Sequence, residues 1–295
     1  MFSDAIETAK KFTHPIICAF KTIEGKSYSP IGAYILLNDD GWILTVAHIF
    51  NPIIKQKNDE SIVKAYLSNI SDIESDDSLT SKQKNKKKSK LKIDQNCITD
   101  YITVAECFGS THAIEKITID PELDLAIAQI KDYDAPEDFQ YPSFKKSEEL
   151  RQGKSLCKLG FPFNTIEGEF INEGDKKIFG FKDKNINMTF FPMDGIITRN
   201  INLNKTKSGY ERWLIETSTP GLRGQSGGPI FDDKGVIWGV QSATKSIPLG
   251  FTPIVRERGK ETVENQFINL GIGVHPISIN QFLERNKISY KTADY

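Results

Sequence analysis

The sequence predicts an all-β fold, two packed β-barrels followed by a C-terminal helix. Short β-branched and aromatic runs bounded by turn residues fall into two groups along the 295 residues. A polar connection from Lys131 to Gly153, broken by Pro136 and Pro142, separates the groups. The last apolar segment changes period, with Ile279, Phe282 and Leu283 at helical rather than alternating spacing. Two strand groups and one terminal amphipathic helix suit two sheets that each curl around a core.

In chain order, residues 16–23 form the first apolar run. Residues 31–47, GAYILLNDDGWILTVAH, read as two strands joined at Asn38-Asp39-Asp40-Gly41, a hairpin signal. Residues 99–107 (TDYITVAEC) alternate in part, and 123–130 (LDLAIAQI) form a short apolar run. These belong to a first group of about six strands. The second group reads 155–160, 187–198, 212–217, 228–232, 236–243 and 267–274, and the helix starts at Pro276. The expectation is one domain, with a first barrel over 1–135, a second over 136–275, and a helix and tail over 276–295.

Two segments lie outside this pattern. Residues 68–96 hold an acidic run (Asp72, Glu74, Asp76, Asp77) followed by Lys82, Lys84, Lys86, Lys87, Lys88, Lys90 and Lys92. Blocks of charge with few apolar residues predict a mobile, solvated insertion. Binding of nucleic acid or an acidic surface, or a regulatory or self-cleaved loop, are the other readings of that segment. Residues 167–184, rich in Gly and charge, also read as a loop insertion.

Composition excludes several classes. Lys+Arg 38 against Asp+Glu 39 leaves a net charge of −1, which no protein with a surface built wholly for nucleic acid would carry. No run approaches the roughly 18 to 20 apolar residues of a membrane span. Lys10, Lys11, His14 and Pro15 interrupt the N-terminus before a signal-peptide apolar region forms, so a cytoplasmic protein is expected. Cys18, Cys97, Cys107 and Cys157 have no CxxC spacing and read as buried free thiols. Cys97, Cys107 and His112 have zinc-ligand chemistry but no common zinc spacing. Gly25-Lys26-Ser27 and Gly153-Lys154-Ser155 lack the upstream glycine of a P-loop. No metal and no cofactor is expected.

The chemistry centres on Gly224-Gln225-Ser226-Gly227-Gly228-Pro229. A serine nucleophile needs a base, and the oxyanion it creates needs donors. Flanking glycines permit a tight turn with open backbone N–H groups. One arrangement places an acid and a histidine downstream, here Asp232 or Asp233 and then His275. It requires a helix directly after the serine, which Gly227-Gly228-Pro229 opposes. The other order is histidine, aspartate, serine. His48 ends the apolar strand Thr45-Val46-Ala47, and Asp124 stands inside Leu123-Asp124-Leu125-Ala126-Ile127. A carboxylate in an apolar run demands a specific partner, and the His48 imidazole would suit it.

TVAHIF, DLAIAQI and GQSGGPIFDDKGVIWGVQSA resemble the histidine, aspartate and nucleophile motifs of the trypsin/chymotrypsin-like serine peptidase superfamily, in its HtrA-like (Do-like) branch. Weaker similarity runs through SEELRQGKSLCKLGFPF, DGIITRN, LIETSTPGLRGQSGG and GIGVHPISINQFL, so the resemblance covers roughly residues 15 to 286. It implies two packed six-stranded antiparallel barrels of chymotrypsin type. It also implies a serine endopeptidase in which Ser226 attacks, His48 transfers the proton and Asp124 orients the histidine. The N–H groups of Gly224 and Ser226 would form the oxyanion hole, and Ser242 would support Asp124. Substrate would add as an extended strand along Ser242, Ala243 and Thr244.

Departures from the family pattern matter. Gln225 replaces the aspartate that digestive members pair with a new N-terminus, so that activation route is closed. Pro220 aligns with the aspartate of basic specificity, and Arg223 beside Gly224 either faces substrate or is solvated. Ile49 replaces a cysteine of secreted relatives. No room is left for a PDZ domain after the second barrel. The expected partners are a protein or peptide substrate and an activating protein that relieves latency, with no membrane and no nucleic acid. A non-catalytic peptide-binding module on the same fold, or a nucleic-acid-associated protein using the lysine loop, are the alternatives.

Overall fold

The computed structural model describes all residues except 1, 147–149, 175, 183–187, 252, 258, 264–265 and 294–295. Helix α1 (Ser3–Phe12) leads into β1 (Thr13–Thr22), β2 (Ser27–Tyr28), β3 (Ile31–Leu36) and β4 (Trp42–Thr45). A 3-10 turn at Ala47–Phe50 runs into α2 (Asn51–Ser75) and α3 (Ser81–Lys88). Strands β5 (Ile98–Cys107), β6 (Ser110–Asp120) and β7 (Leu125–Ile130) complete the first half. The sheet order is β2-β1-β3-β4-β7-β6-β5, and a β1–β5 pairing closes six of these strands into an antiparallel barrel.

The second half holds β8 (Ser143–Lys145), β9 (Ser155–Lys158), β10 (Gly168–Glu173), β11 (Lys176–Phe181), β12 (Met193–Lys205), β13 (Glu211–Thr217) and β14 (Pro229–Phe231). It continues with β15 (Ile237–Pro248), β16 (Ile254–Glu257), β17 (Lys260–Val263), β18 (Phe267–Val274), α4 (Pro276–Arg285) and β19 (Lys291–Ala293). Strands β14-β9-β12-β13-β18-β15 form a ring closed by the β14–β15 pairing. Strand β8 adds to β15 in parallel and β19 adds to β8 in parallel, outside the ring. The fold is the expected chymotrypsin-like pair of barrels with a C-terminal helix.

Period-two alternation explains the core. On β3, Tyr34 and Leu36 point into the first barrel, while Ile35 and the following Leu37 point to the core shared with the second. On β7, Ala126 and Ala128 face the first barrel, and Leu125 and Ile127 the shared core. These strands are buried on both faces, so they read in sequence as unbroken apolar runs. From the second barrel Leu159, Phe231, Val240 and Val274 enter the shared core, as do Ile279, Phe282 and Leu283 of α4. Each such side chain contributes about 1.5–3 kcal/mol when fully buried.

The charged insertion is ordered, contrary to the expectation of a mobile loop. It starts within α2, which buries only Asp59 and Val63. The Asp59 carboxylate accepts from Lys55 Nζ at 2.9 Å and from the Ile98 backbone N–H at 2.9 Å, docking α2 on β5. Helix α3 opens with a reciprocal cap, Thr80 Oγ1 accepting from Gln83 N–H and Gln83 Oε1 from Thr80 N–H. Lys88 pairs with Glu74 at 2.5 Å, so the acidic run and the lysine cluster meet as neighbouring helices. The 167–184 segment is likewise a hairpin, β10 paired with β11 over its described residues. A second hairpin, β16–β17, extends the region between β15 and β18. All four cysteines are buried free thiols.

Candidate active site

His48 stands on the 3-10 turn that follows β4, and Asp124 directly precedes β7. Strands β4 and β7 pair with Thr45 opposite Ala126, which brings the two ends together. Asp124 has φ +54°, a left-handed conformation that Asp tolerates better than most residues. Its carboxylate accepts the His48 backbone N–H at 3.0 Å and faces His48 Nδ1 at 3.0 and 3.2 Å. It also accepts the Ser242 hydroxyl at 2.5 Å. A carboxylate only accepts, so Nδ1 carries a proton and donates it to Asp124. The Asp124 side chain is 27% exposed, less enclosed than its apolar flanks predicted. Ser242 reaches Asp124 because the β15–β18 register shifts between Gln241 and Ala243, a bulge that re-aims the side chain.

Ser226 lies on the loop between β13 and β14, tied across to the first barrel. The Ser226 carbonyl accepts the Ala33 N–H at 2.8 Å, and Thr45 Oγ1 donates to the Ala33 carbonyl at 2.7 Å. A Cβ on Gly32 would meet both Ile49 and the Ser226 carbonyl, so the serine loop abuts the residue after His48. Gly227, at φ +85°, has no room for a Cβ, which would stand 2.1 Å from the Ala33 carbonyl and 2.2 Å from Thr45 Oγ1. Gly224, at φ +95°, has its carbonyl held by the Phe161 N–H at 2.8 Å. Among the described residues, neither the Gly224 nor the Ser226 N–H donates to a protein acceptor.

Gln225 is fully buried and replaces a charge with neutral ties. Its Oε1 accepts the Leu222 N–H at 2.9 Å and its Nε2 donates to the Phe191 carbonyl at 3.2 Å. Pro220 and Gly221 face Thr244 on β15. Thr244 Oγ1 accepts the Gly221 N–H at 2.9 Å and donates to the Gly221 carbonyl at 2.6 Å. Ala243 and Arg223 are exposed. A cleft of about 750 Å³ adjoins the serine loop, lined by Tyr28, Phe161, Phe163, Ile166, Arg223 and Gly224.

Sequence reasoning missed two residues here. Thr45 acts through a polar tie that no periodicity reveals. Lys158, 1% exposed on β9, donates Nζ to Thr217 Oγ1 at 3.0 Å, the Thr219 carbonyl at 2.5 Å and the Pro220 carbonyl at 3.0 Å. It sits in the apolar run Leu156-Cys157-Lys158-Leu159, the signal that had drawn attention to Asp124.

The other candidates are engaged elsewhere. Asp232 accepts the N–H groups of Lys234 and Val236 and the Trp238 indole, and β14 takes the place of the required helix. His275 caps α4 by accepting the Ile277 N–H on Nδ1. Burial pushes the thiols of Cys18, Cys107 and Cys157 up to about 11, which removes them as nucleophiles at neutral pH. Among the described residues no three His, Cys, Asp or Glu side chains gather as a metal site, and no helix is long and apolar enough to cross a membrane.

Comparison with known proteins agrees with this fold. Residues 32–240 match the family model of the trypsin-like peptidase domain. No curated protein sequence matches the chain. Among solved structures, an HtrA-type protease, an AlgW variant with a tripeptide, is similar at TM-score 0.50 and 15% identity, over 98% of this chain and 64% of that one. The Rv3671c protease from M. tuberculosis, in its active form, is similar at TM-score 0.50 and 12% identity, over 98% of this chain and 86% of that one. The chain thus spans just under two thirds of the length of the first of these. At such identities the likeness speaks for the fold.

Proposed function

Because the chain belongs to the trypsin-like peptidase domain family, we propose that it is a serine endopeptidase working through His48, Asp124 and Ser226. One observation carries this reading. The Asp124 carboxylate is clamped by the His48 N–H, His48 Nδ1 and the Ser242 hydroxyl, beside a serine loop whose glycines admit no side chain.

In this proposal Nε2 of His48 takes the Ser226 proton as Oγ attacks the scissile carbonyl, and the Asp124 charge stabilises the imidazolium. The tetrahedral oxyanion is received by the N–H groups of Gly224 and Ser226. Protonated His48 then delivers its proton to the leaving amine, and water hydrolyses the acyl-enzyme by the reverse sequence. Substrate lies extended along Ser242, Ala243 and Thr244, with Arg223 at its side. Control by an activating partner would act on the 220–226 segment, which is held by hydrogen bonds from Lys158, Gln225 and Thr244 and by no ion pair among the described residues.

A fluorophosphonate probe tests the proposal. Ser226 labels in the wild type, and labelling disappears in Ser226→Ala and His48→Ala. Equal labelling in all three proteins overturns it. A wild type that binds extended peptides yet never labels is a peptide-binding module instead. Labelling that rises only when a second protein is added supports latency.

A further inference from the structure

We infer that the pocket receiving the side chain before the scissile bond is charge-reversed, with the Lys158 ammonium at its floor selecting aspartate or glutamate in the substrate. This rests on the peptidase site proposed above and goes beyond it by assigning a specificity-determining residue. The proposed pocket would open between the segment Pro220 to Arg223 and the segment Ser242 to Thr244, which are joined where Thr244 Oγ1 bonds Gly221. Gly271 on β18 pairs with Thr217 on one flank and Thr244 on the other. A Cβ built on Gly271 would stand 2.6 Å from Lys158 Nζ and 2.5 Å from Thr217 Oγ1. The ammonium therefore closes the space beneath that glycine, bonded to the carbonyl of Pro220 itself. Pro220 is where the resemblance would place an aspartate for basic substrates, and the cation now sits against it.

No carboxylate pairs with Lys158 among the described residues, whose three donors go to one hydroxyl and two carbonyls. These neutral oxygens satisfy the hydrogens and leave the charge uncompensated in a buried site. Burial holds the ammonium below its usual value, at about 8, so it is mostly charged at neutral pH. Arg223, exposed and lining the neighbouring cleft, also has no acidic partner among the described residues. Two cations without acidic partners thus lie in or against the 220–223 segment. A lysine or arginine side chain would be repelled, while an acidic one would supply the missing counter-charge. Thr244 Oγ1, lifted from the Gly221 carbonyl, can donate to the entering carboxylate. One local group opposes this. The buried Oε1 of Gln241, whose side chain abuts Gly221, has no partner and would accept from an amide.

The decisive comparison therefore sets glutamate against glutamine. Extended peptides identical except for Glu, Gln, Ala or Lys at the position before the scissile bond are titrated onto Ser226→Ala by calorimetry. This reads binding without turnover. Glu is expected to bind at least about tenfold tighter than Gln, with Lys weakest, and Lys158→Met to erase the Glu–Gln difference. Equal Glu and Gln affinity, tighter Lys, or no binding of any peptide overturns the inference. If Lys158→Met does not fold, the Glu–Gln ratio in the parent decides alone. Fluorophosphonate labelling of the wild type separates the two readings. Labelling without acidic preference refutes the pocket assignment, and acidic preference without labelling, whether or not a second protein is added, refutes the peptidase.

Discussion

Lowering the pH from 7.5 to 5.0 should destabilise the fold by about 4 kcal/mol through two histidines that take no part in the proposed chemistry. His14 on β1 and His275 before α4 are 7% and 0% exposed. Each has an unpartnered Nε2, and His14 lies against the rings of Tyr34 and Phe108. Burial lowers both from 6.5 to about 4, with a backbone hydrogen bond at Lys11 opposing only part of the effect for His14. Between those values the unfolded chain binds protons that the folded chain refuses, so stability falls as pH drops through that window. The proton difference amounts to about 2 kcal/mol per histidine at pH 5, approaching about 3 when complete. Urea unfolding followed by tryptophan fluorescence at both pH values measures it. The control is His14→Phe with His275→Asn, the Asn preserving an acceptor for the Ile277 N–H. Half-buried Glu106, whose carboxyl burial pushes up, works in the opposite sense but is common to both proteins. The wild type should lose about 4 kcal/mol more than the double variant. Equal losses would refute the reasoning.

Other outcomes follow from the same contacts. Asp124→Asn should cut fluorophosphonate labelling by on the order of 10³–10⁴-fold without unfolding the protein, since an amide cannot fix the tautomer. Ser242→Ala removes one charge-assisted bond to Asp124 and should slow labelling by about tenfold, with an unchanged urea midpoint. Gly227→Ala combines a positive φ with two contacts near 2 Å, and should lower stability by about 3 kcal/mol or more in the same titration. Asp59→Ala leaves the Ile98 N–H unpaired and should lower stability by about 1–3 kcal/mol. Under a lysine-specific protease the first cuts should fall at Lys90 and Lys92, between α3 and β5, and first cuts within either barrel would contradict that.

The barrels were legible because of how their strands are buried. Strands β3, β4 and β7 face apolar neighbours on both sides, so their sequences are continuous apolar runs that no surface strand would carry. Strand β6 escaped notice because STHAIEKITID is largely exposed, and its alternation is diluted by polar residues on both faces. Helix α2 escaped for a different reason. It buries only Asp59 and Val63, so no apolar stripe runs along it, and its docking on β5 uses polar ties from Asp59 and Gln56. The lysine run of α3 reads as disorder by composition, yet Thr80 and Gln83 carry a capping signature that was open to inspection.

At the site, motif order led to His48, Asp124 and Ser226, but the deeper signal was a charge in an apolar run. Asp124 was flagged by that rule and met three donors in the structure. Lys158 satisfies the same rule, but it stands in the weaker similarity SEELRQGKSLCKLGFPF, to which the resemblance assigns no site residue. The two residues now form a contrast. The Asp124 charge is answered within the chain by imidazole, hydroxyl and backbone. The Lys158 charge is answered only by neutral oxygens, although an ordinary structural lysine this deep would be expected to find a carboxylate. A fold that gains only a strut from Lys158 would do as well with methionine at that position. A charge left without a carboxylate against the Pro220 carbonyl is the observation behind the proposed preference for an acidic substrate residue.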